Sequence, residues 1–317
     1  MPLFLTEDDV ARLLTMADAL EAVEEAFRQH AQGSAVNRPR ARVRVPQGIL
    51  HVMAAGLPPE GVLGFKAYTA FGGTVRFHVH LYSAEDGRLL ALMEADRLGQ
   101  VRTGAASGVA TRYLARPDAS VVGIFGTGWQ ARSQLQALCA VRTVREVRAY
   151  GRDAARRAAF CREMEAALQV PVRPAPEPRA VVEGADIITT ITTAKAPVFD
   201  GRWLEPGTHL NAAGSNFPQK QEIDEAAVAA ARLIVVDSKE QAQIECGDLI
   251  APISRGLLSW DQVHELGEVV AGKIPGRERP GDITLFESQG LALEDMAVAA
   301  VVYRKAVREK VGRELLL

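Results

Sequence analysis

Cysteine is scarce: Cys139, Cys161 and Cys246 are the only three among 317 residues, an odd number with no CxxC pair. That excludes a disulfide framework and a thiolate zinc site, so all three read as reduced and structural. An excess of either charge is missing too. Thirty-seven Lys and Arg against 39 Asp and Glu give a net charge of -2 and a pI near 6.3. No global field would gather nucleic acid or anionic lipid. No window approaches the ~20 uninterrupted apolar residues of a membrane span. The opening MPLFLTEDDV has a short apolar stretch and acids where a signal peptide carries basic residues, so the expected location is the cytoplasm. Internal repeats and low-complexity segments are also lacking. What remains is 48% hydrophobic and 24% charged, the profile of a folded protein long enough for two domains.

Thr6 is placed to cap a helix over EDDVARLL, and a longer helix follows with Leu20, Val23 and Phe27 at amphipathic spacing, closing near Gly33. Short β-rich runs then alternate with Gly and Pro signals (ARVRVP, ILHVMAA, VLGFKAYTAF, VRFHVHLYS) and predict an antiparallel sheet. In the last run His78 and His80 turn both rings to one face, but no third ligand is apparent and no metal is expected. The segment VRTGAASGVATRYLA predicts a helix whose small residues let another backbone come close. Beyond Pro117 strands and helices alternate through SVVGIF, EVRAY, VPVRPA, DIITTIT, THLNAAG and LIVVDS, which predicts a doubly wound parallel sheet of six strands. The final stretch, ITLFESQGLALEDMAVAAVVYRKAVREK, carries an apolar stripe through Leu291, Met296, Val298 and Val302 and reads as a long helix arriving after the sheet is complete. The expected fold class is α/β: a Rossmann-type domain over 117–287, plus a discontinuous α+β substrate-binding and dimerisation domain over 1–116 and 288–317.

The strongest local signal is an apolar strand running into Gly126, Thr127, Gly128, Trp129, Gln130 and Ala131, then a helix. The first glycine makes the tight turn, the second admits a pyrophosphate, and a small third residue packs helix on strand. About twenty residues on, where an acid would hold the ribose of NAD, the sequence reads AYGRD. Gly151 and Arg152 make room and charge for a 2'-phosphate, so NADP(H) is favoured; NAD(H) stays open if the strand ends one residue later and Asp153 takes the ribose. In the N-terminal half Arg40, Arg42, Lys66, Thr74 and Arg102 are candidates to hold an anionic substrate and move protons.

At these residues the chain resembles the ornithine cyclodeaminase and mu-crystallin family. The likeness runs through the R-x-R strand, GILHVM, LGFKAYT, VRTGAASGVAT, GIFGTGWQA, HLNAAGSNFPQKQEID, VVDSKEQAQIECGDL and DITLFESQGLALEDMA. It implies an NAD(P)-dependent oxidoreductase acting on a small α-amino or α-imino acid, of ketimine reductase, pyrroline carboxylate reductase or amino acid dehydrogenase type, assembled as a homodimer on its N-terminal sheets. The alternatives it leaves are a cyclodeaminase that releases ammonia around an internal NAD, and a non-catalytic small-ligand binder. Arg40 matches the arginine that pairs with the substrate carboxylate, with Arg42 the competitor if the register is off by two. Arg102 matches the second such arginine, Lys66 the lysine near the reacting nitrogen, and Thr74 a threonine of the same pocket. Thr190 and Thr193 match threonines beside the nicotinamide ribose. One position departs: the family aspartate after NAAG is Asn216 here, which can hydrogen-bond a substrate nitrogen but cannot act as a base near neutral pH. That leaves Lys66 to carry protons, with a pKa lowered by burial beside two arginines.

Overall fold

Two capping boxes open the chain. Thr6 with Asp9, and Thr15 with Asp18, exchange side-chain and backbone hydrogen bonds and start the helices Glu7–Leu13 and Met16–Ala31. The second helix buries Leu20, Val23 and Phe27 on one stripe. The computed structural model describes residues 1–316 and divides into two units, Met1–Arg102 with Leu291–Leu317, and Thr103–Gly290. The first division falls inside the helix Asp96–Leu114.

In the first unit, Gly48–Leu57, Val62–Phe71 and Thr74–Ser83 pair antiparallel in register, with Ala41–Val45 paired to the first of them. Gly72 and Gly73, both at positive φ, make the two-residue turn between the last two strands and fix their register. Leu89–Glu94 extends the sheet antiparallel, and Leu3–Leu5 then joins it in parallel, so the sheet is mixed. Alternation puts Met53, Lys66, Val79 and Met93 in one row across a single face. The terminal helix Ala292–Glu309 seats on that face: a Cβ on Gly64 would come within 2.8 Å of Met296 Sδ.

In the second unit eight strands run parallel. Their order is Val172–Pro174, Glu146–Tyr150, Val121–Phe125, Ile187–Thr190, His209–Ala212, Thr284–Glu287, Leu233–Val236 and Val263–Glu265. The six expected strands are all present, and two more join them. Thr284–Glu287, expected to belong to the terminal helical stretch, is instead an interior strand with all four residues buried. The sheet is therefore not complete before the last segment; Gly290, at φ 78, ends the strand segment, and the helix begins only at Ala292. Chain order reverses beside Val121–Phe125, which has the second strand on one side and Ile187–Thr190 on the other. Sheets of this kind bind ligands at the carboxyl ends of the strands flanking such a reversal. Small residues do what the sequence predicts for them: a Cβ on Gly104 would overlap the Ser133 backbone, so helix Asp96–Leu114 and helix Trp129–Val141 touch closely there.

Candidate functional site

The turn after Val121–Phe125 has the geometry a dinucleotide requires. Gly126 sits at φ 107, and a Cβ there would overlap the Ile191 carbonyl oxygen. Gly128, by contrast, has nothing within 4 Å of where a Cβ would be, and it is the N-cap of helix Trp129–Val141 without any side-chain cap. Ala131 is fully buried against the strand side, while Trp129 is exposed. An uncapped helix start beside open space, at the reversal point of the sheet, fits a pyrophosphate. Gly126→Ala is expected to strain the turn by about 1–3 kcal/mol and to raise the Kd for the NAD(P)H cofactor about tenfold or more, read by quenching of protein fluorescence.

The second strand ends at Tyr150, so Gly151 and Arg152 form its tip. Asp153 is the N-cap of helix Ala154–Leu168: its carboxylate accepts from the Arg156 backbone N–H at 2.9 Å and lies 3.6 Å from the Arg156 guanidinium. Its oxygens are thus engaged by their own helix. Gly151 fits against Thr127, whose Oγ1 would be 2.7 Å from a Cβ there. Arg157, which sequence reasoning missed, donates to the Gly151 carbonyl at 2.6 Å and lies 5.1 Å over the Tyr150 ring.

The loops after Ile187–Thr190 and His209–Ala212 are organised by Glu222, a second residue that sequence reasoning missed. Its buried carboxylate accepts from Thr190 Oγ1 at 3.0 Å, from the Thr192 N–H at 2.6 Å and from the Gly214 N–H at 2.7 Å. Burial pushes its pKa up against those bonds. Asp248 in turn accepts from the backbone of Glu222 and Ile223, and burial raises it to about 7. Thr190 is thus buried and engaged, whereas Thr193 is exposed on the following loop. Asn216 is half-buried, and its Oδ1 accepts from Lys220 Nζ at 2.9 Å.

In the first unit Lys66 is 2% exposed on the sheet face under the terminal helix. Its Nζ donates to Asp295 Oδ1 at 2.8 Å, and Gly99 on the helix Asp96–Leu114 leaves room for it. Arg102 donates from Nε to the same Asp295 oxygen at 3.0 Å and from Nη1 to Glu294 at 2.7 Å. Neither acid was singled out from sequence. Two adjacent acids in a first helical turn read as dipole partners, but here both are wholly buried. Burial above all, then the Arg102 charge and more weakly Arg40, pushes the Lys66 amine down to about 8 against the pull of Asp295. Arg40 lies on the Lys66 row, 92% buried, with Nε 3.3 Å from Met53 Sδ, the residue paired across from Lys66. Arg42 is one row further out, paired with His51.

Thr74 is not brought to this cluster. Register pairs Lys66 with Val79, about 16 Å along the strand from Thr74 at ~3.3 Å per residue. The alternation also turns Thr74 to the opposite face, and it stands exposed beside the Gly72–Gly73 turn. His78 and His80 share that opposite face, with His80 stacked on Phe65 at 4.5 Å. Among the described residues no group of three or more His, Cys, Asp or Glu is placed to hold a metal.

The sequence profile of the ornithine cyclodeaminase/mu-crystallin family matches residues 1–310. An alanine dehydrogenase of Archaeoglobus fulgidus is 39% identical over 324 aligned residues, covering 99% of this chain and 98% of the relative. The structure of Thermococcus litoralis Delta(1)-pyrroline-2-carboxylate reductase, in complex with NADH and L-proline, superposes with a TM-score of 0.95 at 36% identity, covering 99% of this chain and all of that one. An archaeal alanine dehydrogenase dimer with bound NAD gives a TM-score of 0.94 at 38% identity, covering 100% of this chain and 99% of that one.

Proposed function

The chain belongs to the ornithine cyclodeaminase/mu-crystallin family, and from that premise we propose the reduction of a small α-imino acid to the α-amino acid, with dehydrogenation as the reverse. The enzyme is an NAD(P)-dependent oxidoreductase of C–N bonds. The nicotinamide supplies the hydride: imino acid, NAD(P)H and one proton become amino acid and NAD(P)+. The first unit supplies the rest. Arg40 and Arg102 bind the substrate carboxylate, and the bonds from Arg102 Nε to Asp295 and from Nη1 to Glu294 hold its guanidinium in place. Lys66 carries the proton that the nitrogen gains. The observation that carries this reading is a fully buried lysine, held near 8, beside Arg102 and Arg40 and bonded to the buried Asp295 carboxylate.

The preferred cofactor on this reading is NADP(H). Support comes from the strand tip, where Gly151 leaves room, Arg152 supplies charge and Asp153 is committed to capping. Arg152→Gln is expected to lower the ratio of kcat/KM for NADPH over NADH about tenfold, the loss of one charge-assisted hydrogen bond. A wild-type preference for NADH would overturn the cofactor assignment. A homodimer is proposed as well. The sheet face opposite Lys66 shows Leu63 at 42% exposure beside half-buried Phe65 and Tyr82, an apolar face that a second copy could cover. Light scattering after gel filtration measures it directly. The three cysteines are free thiols, in keeping with a cytoplasmic enzyme.

The deciding assay follows NADPH and NADH oxidation over cyclic and acyclic imino acids, with ornithine, lysine and alanine offered in the reverse direction. Stoichiometric NADPH consumption is expected. Ammonia release from ornithine at catalytic NAD would make the enzyme a cyclodeaminase despite Asn216, and no turnover of any substrate would leave it a binding protein.

A further inference from the structure

The carboxyl ends of the second-unit strands divide a dinucleotide into two parts. On one side of the Gly126 turn lies the tip of Glu146–Tyr150, followed by Gly151 and Arg152. On the other side lie Ile187–Thr190 and His209–Ala212, paired in parallel. A doubly wound sheet places the two mononucleotide halves on opposite sides of the reversal in strand order. With the adenosine half at Gly151, the nicotinamide half falls on the loops 191–198 and 213–222. The first of these loops starts against the pyrophosphate turn. The Ile191 N–H donates to the Phe125 carbonyl at 2.9 Å, and the Ile191 carbonyl fills the space a Cβ on Gly126 would need.

We propose that Glu222 is the positioning residue for the nicotinamide half of the cofactor, acting through the two loops it joins; the inference rests on the oxidoreductase reading of the same site. Its Oε1 accepts from the Thr192 N–H at 2.6 Å, and its Oε2 from the Gly214 N–H at 2.7 Å and from Thr190 Oγ1 at 3.0 Å. One carboxylate thus ties both loops together. Its main-chain carbonyl accepts from the Val198 N–H at 2.8 Å and closes the first loop at the far end. Asp248 Oδ1 holds the Glu222 and Ile223 N–H groups at 2.7 and 3.0 Å, which fixes the segment that carries the carboxylate. The loops meet so closely that a Cβ on Gly214 would lie 2.5 Å from the Thr192 carbonyl oxygen and 2.6 Å from Glu222 Cδ. Burying a carboxylate is costly, and packing alone would not call for one. Both oxygens of Glu222 are spent on backbone N–H groups, one from each loop. A carboxamide cannot match this, because its NH2 would face one of those donors. Asp248 differs, since a single oxygen takes both of its backbone bonds and an amide oxygen can do the same.

The test is calorimetric and compares the whole cofactor with its adenosine fragment on the cofactor-free protein. The pair is NADPH with 2'-phospho-ADP-ribose, or NADH with ADP-ribose, whichever dinucleotide wild type binds more tightly. Glu222→Gln is expected to raise the Kd of the dinucleotide about tenfold or more and that of the fragment less than about twofold. Binding of the fragment shows on the same preparation that the domain is folded, and a residue that only stabilised the fold would weaken both ligands alike. Gly214→Ala, which forces the loops apart and leaves the carboxylate in place, should give the same split. Asp248→Asn, which keeps the oxygen that holds the segment, should leave both constants within about threefold of wild type. Equal weakening of both ligands by Glu222→Gln, or no change in either, overturns this inference while the oxidoreductase reading stands. A split in Asp248→Asn as large as in Glu222→Gln overturns it as well, because the effect would then belong to buried charge and not to the two acceptors. Should Glu222→Gln yield no folded protein, the same comparison on Gly214→Ala decides. Wild type that binds neither NADPH nor NADH overturns both readings.

Discussion

Lys66→Met is expected to lower kcat for imine reduction by about 10²–10⁴-fold, the usual contribution of a positioned proton donor. The pH dependence makes the assignment specific. In the reductive direction the ammonium form is active, so kcat/KM should be level below about 8 and fall tenfold per pH unit above it. In the oxidative direction the free amine is active, and the same group should give a rate that rises with pH and levels off above about 8. One titration with opposite limbs in the two directions is hard to obtain from a residue that only shapes the site. Lys66→Met should lose both limbs. Lys66→Arg keeps the positive charge beside Asp295 but does not deprotonate in the working range, so it should bind the substrate carboxylate and still turn over poorly. Persistence of either limb in Lys66→Met would remove Lys66 from proton transfer.

What was legible in the sequence follows from how local each feature is. The Gly126 turn reads correctly because strand, glycines and helix are contiguous, and the demand for positive φ at Gly126 is a property of one residue. Arg40 and Arg42 cannot be ranked from sequence, since alternation puts both on one face; only register, which pairs Arg42 with His51 and leaves Arg40 beside Met53, separates them. Thr74 shows the converse. Its spacing from Lys66 is compatible with one pocket, but a two-glycine turn between them reverses the chain and sets the parity, which turns Thr74 away. Thr284–Glu287 was absorbed into a helix because a four-residue apolar strand and a buried helical turn look alike by periodicity. Glu294 and Asp295 were missed for a longer-range reason. Their partners Arg102 and Lys66 lie 192 and 229 residues away in the chain, and nothing nearby marks them as buried.

Those two acids give the second large effect. Asp295→Ala is expected to cost about 3–5 kcal/mol in urea unfolding at fixed cofactor concentration, because it leaves the buried Lys66 and Arg102 cations without the carboxylate they share. Asp295→Asn keeps the shape and removes the charge, so it separates packing from electrostatics. Asp295 is the influence that holds the Lys66 amine up against burial and the arginines. Without it the amine pKa falls below about 8, the ammonium form is lost earlier, and the falling limb of reductive kcat/KM moves to lower pH. Glu294→Gln is the control that tests position: Glu294 bonds Arg102 and not Lys66. It should raise KM by misaiming Arg102, the arginine proposed to hold the substrate carboxylate, with a smaller displacement of the pH limb. If the Asn variant leaves the limb where wild type has it, Asp295 does not set the Lys66 proton. If both variants displace the limb equally, the effect belongs to the net charge of the helix start rather than to the Lys66–Asp295 contact.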